Sequence, residues 1–249
     1  MSSPKDEARL IVDALFEDYG TGGRTRGEVP YVDGRSAIID MKDDGFPGWR
    51  EVEWTGYHIK YLIQKECTLK LQDKIKAYDL KKRHFVKGDY LWDARLNAND
   101  YNKVILGDLG EYDSIIKKNK GIGILIFDAI ANSDIFEDFR RWHEEQKGGE
   151  SNYSIGREAE GRPSRIRKTE YMIRNCQVYF FTSDDIQRGV REGWIDDTFQ
   201  QNMRNADGSS RGAKYLLKTD QIPRDFFLLA KNFNENPEEF GDEFPEFAE

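Results

Sequence analysis

Residues Gly121-Ile122-Gly123-Ile124-Leu125-Ile126-Phe127 form an apolar run with no polar interruption. A short run of this kind, dominated by isoleucine and preceded by the polar stretch Lys117-Lys118-Asn119-Lys120, reads as a strand buried on both faces. Such a strand requires a covering layer on each side of its sheet, which excludes a simple hairpin or a helical bundle. The chain has 249 residues, enough to build those layers around a sizeable core. In Gly121-Ile122-Gly123, close packing at the mouth of the strand is the reason for glycine.

Around this strand the pattern alternates between helix and sheet. Ala8, Leu10, Ile11, Ala14, Leu15 and Phe16 are spaced for a helix over 5–19, stopped by Gly20, Gly22 and Gly23. A polar loop over 21–35, a short apolar run at 37–39 and a turn over 43–48 lead to a second helix expected from Trp49 to about Lys65. From Lys70 the period changes to two, predicting strands over 74–83 and 88–96 joined as a hairpin. Helices near 112–118 and 134–146, a strand over 177–182 and a helical stretch from Ser183 complete the pass. The predicted class is α/β: a mixed central sheet flanked by helices, forming one domain over 1–233 with an acidic, flexible tail over 234–249.

The formal charge is −8, but seven acidic and no basic residues lie within 234–249, leaving −1 for the body of the chain. The acidity is therefore largely a tail, and the body can carry local basic surfaces. No apolar run is long enough to span a membrane. Cys67 and Cys176 are the only cysteines. They read as core residues of a reduced, cytoplasmic protein with no zinc cluster. No phosphate-cradling glycine motif occurs, so no nucleotide cofactor is expected.

If the hairpin loop covers His84 to Gly88, Asp79 lies directly opposite Asp93, close enough for both carboxylates to ligate one divalent ion. Alternation then puts Tyr78, Leu80, Tyr90, Trp92 and Leu96 on one face and Asp79, Asp93 and Arg95 on the other. Like charges this close repel unless a cation or a proton lies between them. The charge pattern equally allows exposed strand acids paired with Lys81, Lys82 or Arg95. On the second helix Glu53 falls in a stripe with Trp49, Val52, Gly56, Ile59 and Ile63. It therefore needs a partner, whether a metal, Arg50 or a buried hydrogen bond. His58, His84 and His143 have no second imidazole at ligand spacing and read as non-catalytic.

The order Asp79 … Asp93-Ala94-Arg95 resembles the active-site motif of the PD-(D/E)XK nuclease superfamily. Its context is similar to a group of type II restriction endonucleases over roughly residues 38–182. That context is Trp49-Arg50-Glu51-Val52-Glu53-Trp54-Thr55-Gly56-Tyr57, then Tyr90-Leu91-Trp92-Asp93-Ala94-Arg95, Gly121-Ile122-Gly123, Arg140-Arg141-Trp142-His143-Glu144-Glu145 with Lys147-Gly148-Gly149, and Arg162-Pro163-Ser164-Arg165-Ile166-Arg167-Lys168-Thr169. The resemblance implies that Asp79, Asp93 and the Ala94 carbonyl bind Mg²⁺, with Glu53 beside them and Arg95 as the basic residue of the catalytic set. The family pattern has lysine where this chain has Arg95, and arginine holds phosphate but does not serve as a base. The implied activity is Mg²⁺-dependent, site-specific hydrolysis of double-stranded DNA by a homodimer. The alternatives are a DNA-binding protein of the same fold with a decayed site, and an acidic-tailed interaction protein that binds no nucleic acid.

The segment Arg157 to Lys168 is the second candidate. Arg162, Arg165, Arg167 and Lys168 meet no acid between them, and arginine suits both phosphate clamping and guanine readout in a major groove. With Arg157 they form the expected DNA-binding loop, to which Lys117 and Lys118 add phosphate contacts. In a cytosolic chain chosen at random, such a run is more often a solvated loop.

Overall fold

The computed structural model describes residues 2–17, 25–26, 29–80, 83–98, 102–150, 155–156, 159, 161, 166–204 and 209–233. The chain runs α1 (Pro4–Phe16), β1 (Thr25–Arg26), β2 (Val29–Asp33), α2 (Gly34–Asp43), a 3-10 turn (Pro47–Arg50) and α3 (Trp54–Leu71). It continues with β3 (Lys76–Leu80), β4 (Arg83–Lys87), β5 (Leu91–Ala98), β6 (Lys103–Asp108), α4 (Leu109–Lys118) and β7 (Ile122–Ser133). Then follow α5 (Asp138–Lys147), β8 (Lys168–Phe181), α6 (Ser183–Glu192), β9 (Ile195–Phe199), β10 (Lys214–Lys218) and β11 (Phe227–Asn232).

β7 is the strand foreseen in the apolar run. It pairs in parallel with β5 along Trp92–Ala98 and antiparallel with β8 along nearly its whole length. The sheet order is β1-β2-β8-β7-β5-β4-β3, with β11 also on β8, so the sheet is mixed. Both faces of β7 are covered. Leu125, Phe127, Ala129 and Ala131 point into a core built with α1, α2, α3 and α5, through residues such as Ile11, Ile38, Trp54, Ile63 and Phe139. Ile122, Ile124 and Ile126 point into a second core with Leu106, Tyr112, Ile116, Ile186 and Trp194, contributed by α4, α6 and a small sheet ordered β6-β10-β9. The predicted mixed sheet between helices is what the structure shows, with this three-stranded sheet as an addition to one layer.

Glycine at 123 is needed for packing: a Cβ there would lie 1.9 Å from the Trp92 ring across the parallel ladder. The N-terminus of α1 is closed by Ser3 and Asp6, which form a capping box. Glu7, one turn in, is buried and its carboxylate accepts the Asp89 and Tyr90 backbone N–H groups and the Trp92 indole N–H, tying α1 to the β4–β5 turn. In β8 the register slips by one residue: Asp128 pairs with Asn175 and Ala129 with Ile173, leaving Arg174 as a bulge.

Several elements differ from expectation. The second helix begins at Trp54 because Pro47–Arg50 form a separate 3-10 turn, where Gly48 lies against Tyr57 and Phe46 too closely for a side chain. Two predicted strands are three: the chain reverses between Leu80 and Arg83, and again at Gly88–Tyr90. β8 begins nine residues earlier than its predicted start at Gln177. The acidic segment 234–249 lies outside the described residues. No helix among the described residues is long and apolar enough to cross a membrane.

Candidate active site

β4 pairs with β5 only at Val86↔Trp92 and Lys87↔Leu91. Beyond these two pairs the β3–β4 hairpin leaves β5, and polar side chains gather where it departs. Asp93, on β5, is 1% exposed. Its Oδ1 accepts the Lys60 ammonium at 2.6 Å and the Ala94 N–H at 2.9 Å, and its Oδ2 accepts the Arg95 guanidinium at 2.6 Å. Burial pushes the Asp93 carboxyl up, but Arg95 and Lys60 more than offset it and hold the group below its ordinary value. Burial and the neighbouring Arg95 bring Lys60 down to about 8, against the pull of Asp93. Lys60 and Arg95 keep 12% and 21% of their side chains exposed, so both reach the mouth of the gap.

Arg95 also donates to the Leu106 carbonyl, which ties β5 to β6. Arg83 stands nearby, bonded to Asp108 at 3.0 Å and Glu111 at 2.9 Å, and packs over Gly107. The Tyr112 hydroxyl is buried beside the cluster, and burial with the Asp93 charge pushes its ionisation up. Asp93 is one carboxylate between two cations, Lys60 and Arg95, while Arg83 is matched by Asp108 and Glu111. Chemically the cluster can bind and orient an anion, with Arg95 always charged and Lys60 able to release its proton near neutral pH.

Asp79 is elsewhere in the ladder. The expected pairing with Asp93 is overturned by the register, in which Asp79 faces His84 and Leu80 faces Arg83. Its carboxylate, 56% exposed, meets His84 Nδ1 at 3.0 Å and accepts the Gln64 amide at 2.8 Å. His84 packs against Phe46 with tilted rings 4.4 Å apart, and together they border a surface groove of about 480 Å³ that also includes Asp44, Tyr61 and Lys65. Glu53 is exposed at the N-cap of α3 rather than within an apolar stripe, because the helix starts one residue later. No group of three His, Cys, Asp or Glu side chains among the described residues is arranged to hold a metal ion. The donors assigned to Mg²⁺ do not fit a divalent ion as they stand, since both Asp93 oxygens already face cations.

Of the expected DNA-binding loop, Arg157, Arg162 and Arg165 lie outside the described residues. Arg167 is a correction. It is 3% exposed and bonds the buried Glu144 carboxylate and the Arg140 carbonyl, because it must neutralise Glu144 inside the α5 layer. Lys168 opens β8, with its Nζ 3.3 Å from the Ser133 hydroxyl. Lys117 and Lys118 are exposed in the last turn of α4, where a cation suits the helix dipole. His58 and His143 are structural: one bonds the Tyr171 hydroxyl at 2.7 Å, the other the Trp49 carbonyl at 2.7 Å. The two cysteines are free and buried.

Sequence reasoning missed Lys60. The available signal was a lysine between Ile59 and Tyr61 in a helix covered on most sides, where an ammonium has to find a carboxylate.

No family model and no curated protein matches this chain. Among solved structures it is similar to the restriction endonuclease BglI bound to its DNA recognition sequence, at 6% sequence identity and a TM-score of 0.38 over 93% of this chain and 91% of that one. At that level of similarity the comparison carries no weight for function.

Proposed function

We propose that this chain is a DNA endonuclease of the type II restriction kind, hydrolysing phosphodiester bonds in double-stranded DNA as a homodimer. The observation that carries the reading is the buried Asp93 between Lys60 and Arg95, on the strand whose Asp93-Ala94-Arg95 sequence supplies the nuclease resemblance. Arg95 holds and orients the scissile phosphate. Lys60, lowered to about 8, is the group that in its neutral form can take the proton of the attacking water, the base role that arginine cannot fill, so the lysine of the family pattern is replaced in function by one from α3. Asp93 fixes both cations. Mg²⁺ is the cofactor the resemblance implies. The carboxylates as arranged do not fit it.

That same saturation of Asp93 favours a second reading, a DNA-binding protein of this fold whose nuclease site is degenerate. Incubation of the protein with plasmid DNA, with and without Mg²⁺, separates the two. Discrete fragments that disappear with Lys60→Ala support the first, and gel retardation without cutting supports the second. Neither cutting nor retardation removes both and leaves an interaction protein.

A further inference from the structure

Several arginines among the described residues are neutralised by carboxylates: Arg83, Arg95, Arg140, Arg141, Arg167, Arg174 and Arg188 all have one. Three cations on one surface are different. Arg35 and Lys42 lie on α2, and Arg50 ends the 3-10 turn. Arg35 sits 5.5 Å from the centroid of Trp142 on α5, while Lys42 and Arg50 sit 5.2 and 4.9 Å from that of Trp49. Their hydrogen bonds go to neutral groups: Lys42 to the Gln146 amide oxygen at 3.0 Å and Arg50 to the Lys147 carbonyl at 3.2 Å. Among the described residues none of the three forms an ion pair with a carboxylate. Glu144 and Glu51 act electrostatically on Lys147, beside the patch.

A ring face orients a cation and stabilises it modestly without neutralising it. The two tryptophans therefore hold three positive charges in place with their charge unspent. Arg35 and Lys42 are seven residues apart on α2, about 10 Å along the axis at 1.5 Å per residue, matching the rise of about three nucleotides at roughly 3.4 Å each along a duplex axis. Half-buried tryptophans beside arginine and lysine suit a sugar–phosphate backbone. The 3-10 turn also connects it to the candidate active site, since Gly48 packs on Tyr57 and the Arg95 and Arg83 charges act on the Tyr57 hydroxyl.

We propose that Arg35, Lys42 and Arg50, set on Trp49 and Trp142, form a sequence-independent docking surface for the phosphate backbone of duplex DNA. This rests on the reading that the chain acts on DNA and adds where the duplex is held. The test is binding of a fluorescent random-sequence duplex, without divalent ions, at several salt concentrations. Arg35→Gln/Lys42→Gln/Arg50→Gln is compared with wild type and with the charge-matched control Lys5→Gln/Arg9→Gln/Lys74→Gln, whose side chains are exposed elsewhere. The patch variant is expected to lose about tenfold or more in affinity and to flatten the log–log salt slope by between about 2 and 3, as three lost phosphate contacts require. The control should keep the wild-type slope, and Arg35→Lys/Arg50→Lys should retain binding. An unchanged slope in the patch variant, or an equal loss in the control, overturns the docking surface while the DNA reading stands. A wild-type protein that binds no duplex overturns both, and binding only to anionic vesicles does the same.

Discussion

The Asp79 carboxylate meets the His84 imidazole across the β3–β4 ladder, at 3.0 Å, and Asp93 lies in a different hydrogen-bond network. The two acids that the sequence pattern joins therefore have different physical roles, and their substitutions should separate.

Asp93→Asn leaves Lys60 and Arg95 crowded around a neutral amide inside the protein. Removing one partner of a buried ion pair typically costs about 3 to 5 kcal/mol. Asp79→Asn alters a half-exposed group and should change stability by less than about 1 kcal/mol. Urea unfolding of both variants checks this. Equal, small effects would mean that Asp93 is not the anchor of the cluster.

Arg167→Ala should destabilise by about 3 kcal/mol, because it leaves the buried Glu144 with only the longer contact to Lys147, at 3.6 Å. The double variant Arg167→Met/Glu144→Leu should recover much of that loss, since replacing both partners by apolar groups removes the stranded charge. Thermal melts of the single and double variants decide between this and a solvent-facing arginine, whose loss would leave the melt unmoved.

His143 gives a pH dependence with a definite sign. Burial, with Lys147 adding to it, lowers its pKa from the ordinary 6.5 to about 4. The unfolded chain therefore binds a proton in that window that the folded chain refuses. Stability from the neutral imidazole is fully present above the unfolded value and is lost as pH falls toward 4, by about 3 kcal/mol at most. Urea midpoints measured across this range should fall with pH, and His143→Gln should have a shallower dependence than wild type.

Gly123→Ala should cost about 1 to 3 kcal/mol, because the new methyl meets the Trp92 ring and the parallel β5–β7 ladder must shift to admit it. Gly56→Ala, with open space around its Cβ position in α3, should be neutral or stabilising. Denaturation midpoints of the two variants, moving apart, test the packing account.

What was legible in the sequence is what depends on local pattern. The apolar run at 121–127 announced a strand with a core on each side, and its glycines announced close packing. The β3–β4 reversal was not legible, because Lys81-Lys82 carries no glycine, proline or asparagine to mark a turn. Phe85 and Val86 are both buried since each serves a different core, which erases the alternation that marks a half-buried strand. The Asp79–Asp93 pairing failed with that turn, as a register depends on where the chain reverses. Arg167 looked like part of a basic loop because its partner, Glu144, is distant in sequence.

The bulge in β8 has a consequence for how the central sheet tolerates change in chain length. Tyr171 and Ile173 before it, and Cys176 and Val178 after it, all enter the same core, although the count between the two pairs is odd. Arg174 is therefore one residue of slack. Deleting it would restore unbroken alternation through the strand without turning any core side chain outward, whereas deleting Ile173 would draw the guanidinium of Arg174 into the place beside Ala129.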